Sequence, residues 1–144
     1  MTYPSDVTVQ TWIRLIRAYN QSVLEIEKAL SDSDFPPLSW YDMLLELERA
    51  GNKGLRQFEL EHALLLKQYS VSRLVEKIEK KQYLKRETSK EDGRGKVIII
   101  TEKGKELRQR MWRVYGPKME AVIGQKLSSA QCHELKSLLG NLIS

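Results

Sequence analysis

Residues 91 to 96, Glu91-Asp92-Gly93-Arg94-Gly95-Lys96, set one arginine between two glycines, just ahead of a β-branched run, Val97-Ile98-Ile99-Ile100-Thr101. Glycine on either side lets a chain tip turn tightly and keeps it thin, so a guanidinium there can enter a narrow groove of negative potential such as the minor groove of duplex DNA. An ordinary solvent-exposed hairpin turn is the competing reading, since Asp-Gly favours such turns unaided. Upstream, Tyr69, Ser70, Ser72 and Arg73 gather at the start of an amphipathic segment. Hydroxyls at a helix start can bond phosphates or base edges, and arginine can pair with O6 and N7 of guanine, which makes Arg73 the first candidate for base readout. Ser70 could equally serve only as a helix cap. Lys53, Arg56 and Lys96 are candidate phosphate contacts, and Arg86 is either another or a structural ion-pair partner. Glu76 and Lys77 lie farther along the same segment and reach either DNA or neighbouring side chains.

Other chemistry has little to work with. The 144 residues hold one cysteine, Cys132, and two histidines, His62 and His133, so neither an intrachain disulfide nor a Cys/His zinc site can be assembled, and no metal or cofactor is expected. No nucleophile with a paired histidine and no phosphate-binding glycine loop occurs, which argues against an enzyme. Cys132 lies in a helical pattern, where a small buried hydrophobe is a more economical reading than a redox sensor.

The elements that must carry these residues are legible from spacing. Val9, Trp12, Ile13, Ile16, Tyr19, Val23, Ile26 and Leu30 form one long helical stripe, broken at Ser31 to Pro37. A second helix is expected from Ser39, with Ser39 as its cap and Asp42 three residues on, to Gly51. A short helix bearing Leu55, Phe58, Leu60, Ala63 and Leu64 follows, then a turn and a helix from Ser70 to about Lys81 with Val71, Leu74, Val75 and Ile78 on one face. Residues 83 to 101 read as strand, turn and strand. Thr101 opens a further helix that Gly116-Pro117 should bend or interrupt, and Ser128 with Gln131 caps a last helix carrying Leu135, Leu138, Leu139, Leu142 and Ile143.

Charge follows the same division. The chain carries a net +5, but residues 53–113 hold 17 Lys/Arg against 9 Asp/Glu, whereas residues 1–52 hold 4 against 8. A basic middle between an acidic head and a near-neutral tail is the footprint of a nucleic-acid-binding module. No secretory leader and no membrane-length apolar stretch is visible, so a cytosolic or nuclear protein without membrane contact is expected.

Two short helices joined by a tight turn and followed by a β-hairpin make a winged helix-turn-helix, in which the second helix suits the major groove and the hairpin reaches the backbone or minor groove. The run SRLVEKIEKKQYLKRETSKEDGRGKVIIITEKG resembles the wing region of the multiple antibiotic resistance regulator (MarR) family of bacterial transcription factors. The helix, the Arg86 strand, the Asp-x-Arg wing tip and the Thr-x-x-Gly exit occur in the family's order, and the likeness extends over most of the chain. It implies a mainly α fold with a small β-wing, a single 1–144 domain with a winged helix-turn-helix lobe at 36–112, and dimerisation helices at 7–31 and 113–144. It further implies a bacterial cytoplasmic homodimer that binds double-stranded DNA, with Asp92 orienting Arg94. Apolar stripes on the first and last helices agree, since a partner chain would cover them.

Three positions depart from the family pattern. Glu61 stands for a small residue, Gln82 for the glycine usual at the end of the recognition helix, and Gly93 for a second wing arginine. Many relatives hold small aromatic acids between the dimer helices and the DNA lobe, which makes Trp12, Trp40, Tyr41 and Trp112 candidates for such an effector, although aromatics on helices more often belong to a core. Thiol sensing through a first-helix cysteine is disfavoured, as none is there. The rival reading is a winged-helix adaptor for protein contacts, without specific DNA binding.

Overall fold

The computed structural model of the chain describes every residue except Gln68, Asp92 and Ser144. Two compact units form, one from Asp34–Arg113 and one from Met1–Ser33 together with Val114–Ser144.

The first unit is the winged helix. Helix α2 (Leu38–Ala50) begins after Pro36-Pro37, where the pyrrolidine of Pro37 fixes an extended entry with φ −57° and ψ 158°. Ser39 therefore lies inside the first turn and caps nothing, and Asp42 is buried on the core side among Tyr41, Met43, Leu44 and Leu47. A 3-10 turn, Gly51–Lys53, leads to Leu55, which bridges Ile98 through reciprocal backbone bonds of 3.0 and 2.7 Å. Leu55 is thus sheet edge, not part of the short helix its spacing suggested; helix α3 spans Gln57–Ala63, with the Glu59 carboxylate accepting the Arg56 N–H at 2.9 Å.

Helix α4 (Val71–Lys80) buries Leu74, Val75 and Ile78 and packs on α3 and strand β1. Each buried aliphatic contributes about 1.5–3 kcal/mol, so these three hold the helix against the lobe. Strands β1 (Leu84–Thr88) and β2 (Lys96–Ile100) pair antiparallel in a register from Leu84 opposite Ile100 to Thr88 opposite Lys96. Helix α5 (Glu102–Met119) starts on Thr101, whose Oγ1 donates to the Gln82 carbonyl at 2.6 Å and accepts the Gly104 N–H at 3.1 Å. A β-carbon on Gly104 would collide with the Tyr83 carbonyl oxygen and with Ile100, so the Thr-x-x-Gly spacing serves a close approach of α5 to the end of the α4–β1 corner.

Gly116 and Pro117 do not interrupt α5. The irregularity comes after them, as a π turn at Glu120–Gly124, and Pro117 is accommodated within the helix even though it has no N–H to donate.

In the second unit, α1 (Asp6–Asp32) is capped by Ser5, whose Oγ accepts the Thr8 N–H at 3.2 Å. It buries only Ile26 and Leu30 and leaves Trp12, Ile16, Tyr19 and Leu24 exposed. Helix α6 (Ser129–Leu142) has the expected Ser128/Gln131 capping box but buries no residue, exposing Leu135, Leu138 and Leu142.

Candidate nucleic-acid interface

On α4 the helical period that buries Leu74, Val75 and Ile78 turns Ser72, Arg73, Glu76 and Lys77 to solvent. Ser70 is the N-cap: its Oγ accepts the Arg73 N–H at 3.4 Å, so part of its hydrogen-bonding capacity goes to the helix itself. Tyr69 is oriented differently from its neighbours. The residue is half-buried and its hydroxyl oxygen is fully enclosed without a hydrogen-bond partner. Burial first, and the negative Asp42 second, push its pKa up to about 12.

The wing is built around Ser89, a buried serine. Its N–H donates to the Gly95 carbonyl at 3.2 Å, its carbonyl accepts the Gly93 N–H at 3.0 Å, and its Oγ accepts the Glu91 N–H at 3.3 Å. Gly93 and Gly95 have φ of 66° and 65°, the left-handed region in which a side chain is strained, so the glycines around Arg94 are required by the backbone of this tip. Arg94 is exposed. Asp92, expected to orient it, lies outside the described residues.

Arg56, at the start of α3, reaches the wing. Its Nη1 donates to the Arg94 carbonyl at 3.4 Å, and it would lie 2.6 Å from a β-carbon placed on Gly95. Arg86 ion-pairs with Glu79 through a 3.4 Å contact and so ties β1 to the end of α4. Lys53 comes within 4.0 Å of Glu91 with both side chains largely exposed, a pair worth little in water, and Lys96 Nζ reaches the Thr88 hydroxyl at 3.3 Å. Lys85 holds the neighbouring Glu87 carboxyl below the usual carboxylate range by a hydrogen bond and by its charge.

Three of the four candidate ligand aromatics make ring contacts within the winged-helix unit. Tyr41 stacks on Trp112 at 6.1 Å, with the Arg108 guanidinium over its ring, and Arg108 is itself paired to Glu48 at 2.7 Å. Trp40 meets Tyr83 edge-on at 6.2 Å, and Trp12 lies on α1 of the other unit. A groove of about 440 Å³ does open beside the wing, between Lys53, Arg56, Phe58, Glu59 and Glu87, and none of the four aromatics lines it. Among the described residues no group of His, Cys, Asp or Glu could hold a metal ion, and no helix is long and apolar enough to cross a membrane.

Asp42 and the wing-bound Arg56 are what pattern reading missed. A carboxylate within the run Trp40-Tyr41-Asp42-Met43-Leu44 was a signal for the first, since a charge on a buried stripe must have a partner. Nothing local marked the second.

Comparison with known proteins agrees with this geometry. Residues 33–95 match the family model described as "MarR family". The uncharacterised HTH-type transcriptional regulator YhbI of Bacillus subtilis is 32% identical over 129 residues, covering 90% of this chain and 80% of YhbI. Two solved structures share the fold: Sco3205, a MarR family transcriptional regulator from Streptomyces coelicolor in complex with DNA, with a TM-score of 0.82, 22% identity and coverage of 98% of this chain and 92% of that one; and Bordetella bronchiseptica BpsR, whose DNA binding is regulated by 6-hydroxynicotinic acid, with a TM-score of 0.82, 19% identity and 99% coverage of each.

Proposed function

The chain belongs to the MarR family, and on that premise we propose that it is a sequence-specific, double-stranded-DNA-binding repressor that acts as a homodimer in the bacterial cytoplasm. The carrying observation is helix α4, whose apolar side is sealed into the lobe while Ser72, Arg73 and Lys77 are left to solvent, together with a wing tip that exposes a glycine-flanked Arg94. In this reading α4 enters the major groove, Arg73 contacts a base edge, Arg94 takes the adjacent minor groove, and Lys53, Lys77 and Lys96 meet phosphates. Arg56 acts from behind, by holding the wing backbone.

The dimer is supported by the exposed apolar residues of α1 and α6. Trp12, Ile16, Leu135, Leu138 and Leu142 keep between 39% and 65% of their surface in water, and a second copy that covers it recovers the matching part of the about 1.5–3 kcal/mol that full burial of a large apolar side chain is worth. Two recognition helices related by a two-fold then meet a pseudo-palindromic operator with half-sites about one helical turn apart. Repression follows from occlusion of a promoter by such a dimer. Release by a small aromatic effector completes this reading, by analogy with BpsR, whose DNA binding is regulated by 6-hydroxynicotinic acid.

The test is fluorescence anisotropy on a labelled duplex across a salt series, with the Arg94→Ala variant alongside. Affinity should fall steeply with salt, and Arg94→Ala should weaken binding most where the flanks are A·T-rich. A shallow slope shared by both proteins would favour the adaptor reading.

A further inference from the structure

Among the described residues Asp42 is the one buried charged side chain, 6% exposed, and burying a carboxylate is costly unless hydrogen bonds compensate it. Its Oδ2 accepts the backbone N–H of Leu66 at 2.7 Å. Helix α3 has ended by then, with the Leu64 N–H making its last backbone bond to the Leu60 carbonyl, and among the described residues the Leu66 N–H has no backbone acceptor. Leu66 lies in the connector that leads to the α4 cap, Ser70, and so to Ser72 and Arg73. In the same connector the Tyr69 hydroxyl is enclosed within the field of Asp42. A charge-assisted bond of this length is among the stronger contacts available to a connector, and it fixes direction as well as distance.

We propose that Asp42 is a positioning residue for DNA recognition: by holding the Leu66 N–H, it anchors the α3–α4 connector to α2 and sets where the N-terminus of α4, and with it Arg73, meets the base edges. The inference rests on the DNA-binding reading above. Asp42 touches no DNA in this account, and its contribution is to discrimination. Loss of the anchor leaves Lys53 and Lys96, which meet phosphate, in place, so sequence-independent attraction persists while the alignment of the recognition helix degrades.

Two variants of equal charge separate the anchor from electrostatics. Asp42→Asn keeps an oxygen acceptor at the same reach, and Asp42→Ala removes it. Each is compared with the unsubstituted chain on the duplex it enriches from a randomised pool and on a shuffled duplex of the same composition, at one salt concentration and then across a series. Amide exchange at Leu66 and in α2 is followed in the free protein. We expect D42A to lose at least about tenfold in preference for the enriched duplex, with an unchanged salt slope and faster exchange at Leu66 than in α2. D42N should stay within about threefold of the unsubstituted preference, because its amide oxygen can still accept. Should D42A fail to fold, Asp42→Ser, whose hydroxyl is too short to span to Leu66, replaces it under the same expectation.

Full preference retained in D42A, or an equal loss on both duplexes, overturns the proposal alone. An unsubstituted chain with no preference for any duplex overturns the DNA-binding reading and this one with it.

Discussion

Gln82 stands at the corner between α4 and β1 with φ 66°, in the left-handed region, where an L side chain is disfavoured. The penalty for a non-glycine residue there is about 1–2 kcal/mol, from the approach of Cβ to the following carbonyl. Gln82→Gly removes it and gives back about 0.4–1 kcal/mol through the larger conformational freedom of glycine in the unfolded chain. Both backbone bonds of the corner survive the change: the Gln82 N–H donates to the Glu79 carbonyl at 2.8 Å, and the Gln82 carbonyl accepts from Thr101 Oγ1 at 2.6 Å. The side chain is exposed. Net stabilisation of about 0.5–1 kcal/mol is expected, which for a chain of this size raises the melting temperature by roughly 2–4 °C per kcal/mol. Calorimetry at fixed protein concentration measures it, since association would otherwise shift the midpoint. Gln82→Ala is the control, because it keeps the β-carbon and should bring no comparable gain. A less stable Gln82→Gly protein, or an alanine variant that gains as much, would refute the reasoning.

Arg73→Ala should cost about 1–3 kcal/mol of operator affinity and relax the requirement at one base position; equal losses on all sequences would make Arg73 a phosphate contact instead. Gly104→Ala forces a β-carbon against the Tyr83 carbonyl and should destabilise the winged-helix unit by about 1–3 kcal/mol in denaturant unfolding; an unchanged midpoint would contradict the close approach. Tyr69, raised from 10.0 to about 12, favours the fold while its phenol is neutral, so that contribution is complete below pH 10 and declines as the pH rises toward 12. Ultraviolet titration of the wild type against Tyr69→Phe should assign the variant's missing phenolate step to about pH 12, and a step in the ordinary tyrosine range would contradict the enclosed hydroxyl.

What could be read from the sequence was whatever repeats over short distances. Leu74, Val75 and Ile78 declared the buried side of α4 by spacing alone, and the β-branched run from Val97 declared β2. The Ser128/Gln131 box needed only three residues of context. Partners far apart in the chain were invisible: Asp42 and Leu66 are separated by 24 positions, and Arg56 and Arg94 by 38. Asp42 therefore reads from its neighbours as a capping partner for Ser39, and the bond of Arg56 to the wing has no local signal. The Ser39 cap failed because Pro37 already fixes the entry to α2, so the helix starts a residue earlier. Gly116-Pro117 suggests a bend or an interruption of α5 because a proline lacks a donor, yet the helix runs on for two residues and the irregularity is the π turn at Glu120–Gly124. The ring contacts of Trp40 with Tyr83 and of Tyr41 with Trp112 join residues 43 and 71 positions apart, beyond the reach of any local pattern.

The central claim, that this chain reads DNA sequence through a pair of α4 helices, is tested most directly by selecting bound duplexes from a randomised pool with the purified protein at near-physiological salt. Enrichment of a two-fold-symmetric motif whose half-sites lie about one helical turn apart is expected. A pool recovered without enrichment, from protein shown to be folded, would contradict it.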